Sequence, residues 1–264
     1  MKEPKSMQEI QEIMERKYGE KAPSKYVKSK TGFIDRWVAY FDILGFSQEV
    51  KKGCRSDYLL LEDYKYTIKI VSDACNLFSD CLSYIFFSDS FLIYSHDDTA
   101  KSYACIQSAS TEFIDLMTLK LIPMRGVISF GELYADQKER IFIGRALIEA
   151  VEAEKQLKTI GLVMMKTAVD KARAYEVRPE NSGFREIENQ TSAEISSEES
   201  KQYDFAGCLY YAFLTSHGQF NFENPIEKNL RRMKRSAPTK VQNKHDNAIK
   251  HCIKHALPKI GTKT

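Results

Sequence analysis

The stretch "RWVAYFDILGFSQEV", residues 36–50, constrains the fold more than any other part of the sequence. Aromatic and β-branched enrichment predicts a strand over residues 34–44, which Gly45 ends. The apolar run leads into Asp42, and a second apolar group and a Gly-Phe-Ser turn follow at once. A strand that buries both faces has little reason to end in a carboxylate, so Asp42 is the first candidate for a functional residue.

The remainder of the chain alternates helical and strand patterns. Two short β-type runs joined by Ser88-Asp89-Ser90 predict a hairpin over residues 81–95. Around it we predict helices over residues 57–77, 99–121 and 167–175, strands over 124–135 and 161–165, and a short strand that turns into a helix at Gly144. The order β-α-β-β-α-β predicts an α+β fold, a ferredoxin-like palm whose antiparallel sheet has its helices on one face.

Composition divides the chain into three parts. We expect an N-terminal helical extension over residues 1–30, a main domain over residues 31–220, and a basic helical C-terminal extension over residues 221–264. Within the main domain, acidic residues 176–204 resemble a polar insertion or exposed loop.

The charged and histidine-containing tail does not indicate a nucleic-acid or metal site. The net charge is only +3, and the basic run at residues 231–235 lacks interleaved aromatics, which favours a solvated face or a dimer-docking arm. His245, His251 and His255 have no third ligand of suitable type nearby, so a solvated basic helix is the better interpretation.

The six cysteines contain no CxxC pair, which favours reduced core thiols and a reducing compartment. No signal-like apolar run opens the chain, and no window approaches the roughly 20 apolar residues of a membrane span. We therefore expect a cytoplasmic protein without a membrane span.

Asp42 and Asp89 form the constellation that indicates chemistry. Carboxylates from two neighbouring strand ends can hold Mg²⁺ or Mn²⁺ and leave positions for water and phosphates. The turn after Asp42 enters a helix, and its backbone N–H groups can bind a di- or triphosphate. The alternative is that both aspartates are turn formers or helix caps.

Four motifs in order resemble the class III nucleotidyl cyclases. "FDILGFS" is similar to the first metal motif of that family, and "FFSDSFLIY" falls where the second metal aspartate lies. "MRGVISFGELY" and "IFIGRALIEAVEAE" are similar to its Arg-x-Gly strand and its helix entry. Together they cover about residues 37–154, and the fold implied is the βαββαβ cyclase palm.

The resemblance implies a role for each matching position. Asp42 and Asp89 would bind two metal ions, Mn²⁺ or Mg²⁺, with the Ile43 carbonyl as a further ligand. The ribose 3′-hydroxyl would attack the α-phosphorus in line and release pyrophosphate. The amides that would hold the β- and γ-phosphates belong to Leu44, Gly45 and Phe46.

The base pocket departs from the purine cyclases of that family. Ile85 and Ile141 occupy the positions of their two polar base readers, and Phe87 and Ile143 would line the same wall. Apolar side chains leave the polar edges of adenine or guanine unsatisfied, which favours a smaller base.

The transition-state pair is also altered. The Asn of the family aligns with Ile148 and its Arg with Glu152, so Arg145 is the nearest cation that could replace them. The alternative is that Arg145 is a solvated side chain. Arg125 ranks below Arg145 as a candidate, because the resemblance implies that an arginine in this strand is more often structural.

A chain that keeps the metal aspartates but lacks the purine readers resembles the pyrimidine cyclases of the Pycsar antiphage systems. The resemblance implies that UTP, or next CTP, is converted to a cyclic nucleotide that activates a separate effector. It also implies a homodimer in which Arg145 of one subunit completes the Asp42 and Asp89 site of the other. A catalytically inactive cyclase-like module that binds a nucleotide or a partner, and a purine cyclase with relocated readers, stay open as alternatives.

Overall fold

The computed structural model describes residues 33–53, 58–182, 184–186, 208–211, 225–237 and 239–254. Within these ranges the chain forms eight strands and seven α-helices. The strands are β1 (Ile34–Ile43), β2 (Leu82–Phe87), β3 (Ser90–Ser95), β4 (Met124–Asp136), β5 (Ile141–Ile143), β6 (Gly161–Met164), β7 (Phe184–Glu186) and β8 (Leu209–Tyr211). The helices are α1 (Phe46–Gly53), α2 (Tyr58–Asn76), α3 (Ala100–Leu119), α4 (Arg145–Gln156), α5 (Lys166–Ala174), α6 (Pro225–Ser236) and α7 (Thr239–Lys254).

One mixed sheet organises the described part of the chain. Its strand order is β2-β3-β1-β4-β6-β8-β7, and β5 pairs with the end of β4. All pairings are antiparallel except that between β4 and β6. The order β2-β3-β1-β4 is that of a βαββαβ palm, so the predicted α+β class is confirmed.

Residues of β1 alternate between the two faces of the sheet. Trp37 and Phe41 belong to what we name the Phe41 face, where α3 packs: the ring centroids are 4.8 Å apart for Trp37 and Tyr103, and 5.0 Å apart for Phe41 and Phe113. Helix α2 covers the same face, because the Tyr84 hydroxyl in β2 donates to Ser72 Oγ at 2.8 Å. The four rings belong to the buried apolar core.

The prediction that all helices lie on one face is wrong. The opposite face, which we name the Asp42 face, contains Asp42 and its neighbours two residues apart along β1, and α4 packs on it. Ser129 Oγ in β4 donates to the Ala146 carbonyl of α4 at 2.7 Å. Gly144 permits this approach, since a Cβ there would be 2.2 Å from the Glu132 carbonyl oxygen.

Part of the acidic stretch 176–204 belongs to the sheet instead of an exposed loop. Phe184 in β7 is fully buried and its ring lies 5.5 Å from that of Tyr211 in β8. The sequence does not reveal this strand because polar residues surround its single large apolar side chain. The predicted N-terminal extension, residues 1–30, lies outside the described residues.

The two C-terminal helices pack against the main body. Asn229 in α6 donates to the carbonyls of Thr118 and Leu119 at 3.3 and 3.1 Å. On α7, His245 is only 1% exposed, so the prediction of a solvated helix is wrong for this residue. The side chains of His251 and His255 lie outside what the structure describes.

Among the described ranges, no helix has both the length and the apolar character needed to cross a bilayer. Four cysteines there have buried thiols, as the sequence predicts: Cys75, Cys81, Cys105 and Cys208.

Candidate active site

Asp42 and Asp89 converge at one end of the sheet. Asp42 pairs with Ser90 in the register of β1 and β3, and the next residue, Ile43, donates its N–H to the Asp89 carbonyl at 3.0 Å. Asp89 therefore lies in the hairpin turn directly beside the end of β1. Ser88 makes this turn possible by adopting a left-handed conformation with φ 54°.

The Asp42 carboxyl is half-buried, and its surroundings act on its charge in opposite directions. Burial raises the pKa of Asp42 above its ordinary value, and the negative charge of Asp89 raises it further. The Arg125 guanidinium lowers the same pKa by its charge and its hydrogen bond. The two carboxylates are therefore close enough for their charges to interact.

The turn after Asp42 has the form that the sequence predicts. Gly45 adopts φ 85°, and Phe46 begins α1 immediately after it. Leu44 donates its N–H to the Pro123 carbonyl at 2.8 Å, so this amide is engaged in the structure. Gly45 and Phe46 lie at the helix start, where N–H groups have no acceptor within the helix and can bind an anion.

Arg125, which we expect from the sequence to be structural, is the central residue of this site. Its Nη2 lies 3.1 Å from Asp42 Oδ2 and 2.5 Å from Glu154 Oε1, and its Nη1 donates to the Leu157 carbonyl at 3.2 Å. Glu154 comes from α4 and is almost fully buried. Burial raises the pKa of Glu154 to about 7 despite the adjacent guanidinium.

Lys244 adds a second cation from α7. Its charge interacts with Arg125, Glu154 and Asp42, and burial lowers its pKa to about 8. We name these four residues, Asp42, Arg125, Glu154 and Lys244, the charge cluster. The "R-x-G" motif of β4 is a sequence signal for Arg125, but the other three residues of the cluster come from distant parts of the chain.

Arg145 does not reach this site within one chain. Its side chain is 81% exposed and lies 3.1 Å from Glu132 Oε2. Glu132 is seven residues along β4 from Arg125, the register partner of Asp42. At about 3.3 Å per residue, the two positions are roughly 20 Å apart.

The apolar residues predicted to form a base pocket lie on two elements. Ile85 and Phe87 are on the β2 part of the Asp42 face, and Phe87, which is 82% exposed, shares its register partner Ser90 with Asp42. Ile141 and Ile143 are exposed on β5. The Phe142 ring between them lies 5.6 Å from Tyr94, four residues along β3 from Ser90, so these two isoleucines lie nearer the other end of the hairpin.

Helix α4 presents an exposed stripe at helical spacing. It consists of Arg145, Ile148, Glu152 and Lys155. The two positions aligned with the transition-state residues of the cyclase family therefore lie on the same side of the helix as Arg145, and they point away from the sheet of their own chain.

The donor set at the sheet end fits a hard divalent cation. The carboxylates of Asp42 and Asp89 are the type of oxygen ligand that such a cation prefers. Within the described residues no group of three or more His, Cys, Asp or Glu side chains could by itself enclose a metal ion. An open site of this kind, with few protein ligands and room for phosphate oxygens, is typical of Mg²⁺ or Mn²⁺ with a nucleotide.

No family model and no curated protein sequence matches the chain. Solved structures that resemble it are adenylyl and guanylyl cyclase domains. A bacterial light-regulated adenylyl cyclase has 15% identity and a TM-score of 0.43, with 54% of this chain and 81% of that chain covered. The guanylyl cyclase Cya2 has 12% identity and a TM-score of 0.40, with 54% and 80% covered. The adenylyl cyclase CyaB from P. aeruginosa has 12% identity and a TM-score of 0.43, with 55% and 83% covered.

Proposed function

We propose that this protein is a metal-dependent nucleotidyl cyclase that converts a pyrimidine nucleoside triphosphate to its 3′,5′-cyclic monophosphate and pyrophosphate. The observation that supports this most directly is the convergence of Asp42 and Asp89 beside the turn that begins α1. UTP is the favoured substrate, and CTP is next.

Asp42 and Asp89 would hold two divalent cations, Mg²⁺ or Mn²⁺, with the Ile43 carbonyl as a further ligand. When bound, these ions supply Lewis acidity that lowers the pKa of the ribose 3′-hydroxyl and neutralises charge on the triphosphate. Arg125 keeps a positive charge at Asp42, which favours the ionised carboxylate that a cation needs. The N–H groups of Gly45 and Phe46 would hold the β- and γ-phosphates; the Leu44 amide can join them only by leaving Pro123.

Base selection would depend on Ile85, Phe87, Ile141 and Ile143, which we name the apolar wall. None of these side chains can donate or accept a hydrogen bond. A purine base that contacts them would therefore have no hydrogen-bond partner for its polar edge. A smaller pyrimidine base suits such a wall better.

Two chains would build the site together. The roughly 20 Å between Arg145 and Asp42 along β4 supports a homodimer in which Arg145 acts on the substrate held by the partner subunit. The exposed apolar side chains of Phe87, Ile143 and Ile148 would be covered in that assembly. The resemblance to antiphage pyrimidine cyclases adds the proposal of a cytoplasmic enzyme whose product activates a separate effector.

A panel of ATP, GTP, CTP and UTP with Mn²⁺ or Mg²⁺ tests the activity, with cyclic products identified by mass spectrometry. We expect a cyclic pyrimidine nucleotide from the wild type. Asp42→Asn and Asp89→Asn should each reduce its rate on the order of 100-fold or more. Asp35→Asn, at an exposed position of the same strand, is the matched control and should retain activity.

A catalytically inactive binding module is the second candidate. It is favoured by Ile148 and Glu152 at the transition-state positions and by the ion pair that engages Asp42. If no nucleotide is cyclised and Asp42→Ala leaves the biological activity intact, this second function replaces the first. A cyclic purine product from the same panel would instead indicate a purine cyclase with relocated readers.

A further inference from the structure

Lys244 has an unusual electrostatic position. The side chain is half-buried, and among the described residues no carboxylate lies within 4 Å of its ammonium group. Its charge nevertheless interacts with Asp42, Glu154 and Arg125. A half-buried cation without a contacting counter-ion has remaining capacity to bind an anion.

Helix α7 holds Lys244 in this place through its neighbours. Asn247, three residues further along the helix, donates to the Lys158 carbonyl at 3.0 Å. The preceding residue of that loop, Leu157, accepts the Arg125 hydrogen bond. On the other side, Asp246 forms an ion pair of 2.5 Å with Lys234 of α6. A docked helix therefore holds the lysine near the other three residues of the charge cluster.

The charges of the cluster explain why the ammonium stays there. One guanidinium, that of Arg125, contacts two carboxylates, those of Asp42 and Glu154. When both carboxylates are ionised they carry one more charge than the guanidinium neutralises, and the charge of Lys244 interacts with both carboxylates from beyond contact distance. A divalent cation held by Asp42 would neutralise that negative charge, and the half-buried ammonium would then need another counter-charge.

Two arginines that could have served this site are placed otherwise. Arg125 is engaged with both carboxylates, and Arg145 lies at the other end of β4. Resting on the proposed cyclase function, we infer that Lys244 binds the β- and γ-phosphates of the substrate, and then the pyrophosphate product, within its own subunit. The C-terminal helix is on this view a part of the active site.

Titration calorimetry with inorganic pyrophosphate and Mg²⁺ tests this assignment on the full chain without requiring turnover. We expect Lys244→Met to weaken pyrophosphate binding about 10- to 100-fold, which is the loss expected for a charge-assisted contact. Lys244→Arg should stay within about 3-fold of the wild type because it keeps the charge. Lys250→Met removes a positive charge from an exposed position of the same helix and is the matched control.

Kinetics give the second readout. Lys244→Met should raise KM for the cyclised nucleotide by about the same factor as it weakens pyrophosphate binding. A merely structural role would change the unfolding temperature, and the changes in KM and in pyrophosphate affinity would not match. If Lys244→Met does not fold, Lys244→Gln replaces it. Equal pyrophosphate affinity in Lys244→Met and Lys250→Met, or no pyrophosphate binding by the wild type, overturns the assignment.

The two proposals fail separately. Pyrophosphate binding that depends on Lys244, without a cyclic product from any nucleotide, contradicts the cyclase function and leaves the phosphate site standing. A cyclic product with an unchanged KM in Lys244→Met supports the cyclase function and removes Lys244 from the site.

Discussion

Arg125 Nη2 lies 3.1 Å from Asp42 Oδ2, across the pair of strands β1 and β4. The carboxylate that the sequence indicates as a metal ligand is thus already in contact with a cation of its own chain. The same guanidinium contacts Glu154, so it connects the sheet end to α4. The candidate metal site and the fold of this region therefore depend on one arginine.

Replacing Arg125 should destabilise the protein strongly. Arg125→Met leaves the buried Glu154 carboxylate and Asp42 without a contacting counter-charge, and we expect a loss of about 3 kcal/mol in the free energy of unfolding. Adding Glu154→Gln should recover part of that loss, because the second buried charge is then absent. Urea unfolding of both variants measures the coupling.

Lys138→Met is the control for removing a surface charge. The Lys138 side chain is 90% exposed and its ammonium lies 3.9 Å from Glu139 Oε1, so its loss should cost less than about 1 kcal/mol. An equally small effect of Arg125→Met would contradict the structural account of the charge cluster.

The stability of the protein should fall as pH rises through neutrality, in part because of Asp115. The Tyr211 hydroxyl donates to Asp115 Oδ2 at 2.8 Å, and burial raises the pKa of Asp115 from 3.8 to about 7. Because the folded-state pKa is the higher one, this stabilising contribution is complete below about pH 4 and is lost as pH rises through about 7.

We therefore expect Asp115→Asn to be more stable than the wild type at pH 8, by roughly 1–3 kcal/mol, and to show a flatter profile between pH 5 and 8. Glu154 titrates in the same direction, so the pH dependence should shrink without vanishing. Thermal unfolding across this range is the measurement, and Glu112→Gln, at an exposed position of α3, is the control. An identical pH profile in Asp115→Asn and the wild type would show that this carboxyl does not titrate there.

Base preference should respond to the apolar wall. Ile141→Asp, alone and with Ile85→Lys, introduces polar groups at the two reader positions, so the ratio of purine to pyrimidine turnover should rise about 10-fold or more. Competition among equimolar nucleotides measures this ratio directly. Leu119→Lys places a charge on an exposed apolar position of α3 and should leave the ratio unchanged. Unaltered preference in the wall variants would remove these isoleucines from base selection.

Complementation tests whether two chains build one site. Asp42→Asn and Arg145→Ala should each be inactive alone, whereas their mixture should recover roughly a quarter of wild-type activity, because half of randomly formed dimers contain one intact site of two. Mixing Asp42→Asn with Asp89→Asn is the control, since both changes affect the same half-site. Recovery in that control, or none in the first mixture, would contradict a shared site.

Much of the fold follows from local patterns. The boundaries of β1, the hairpin and α3 are close to those predicted, because period-two and period-3.6 apolar spacing is strong there. Asp42 and Asp89 are local features too, since each follows directly from a strand end or a turn.

The charge cluster did not follow from such patterns. Arg125 and Asp42 are 83 residues apart in the sequence, and their contact exists only through the register of β1 with β4. Glu154 looks like one more acidic residue on a helix that also contains Glu149 and Glu152; only the packing of α4 on the sheet decides that it is buried. Lys244 is hidden in a basic segment for the same reason.

Because a ribosome makes the sheet residues before α7, this helix can dock only late in synthesis. Asp42 is synthesised about two hundred residues before Lys244, which at 5–20 residues per second is roughly 10–40 s. During that interval the sheet can form around Asp42 and Arg125 while the fourth charge is still missing. The charge cluster is therefore complete only after α7 has been synthesised.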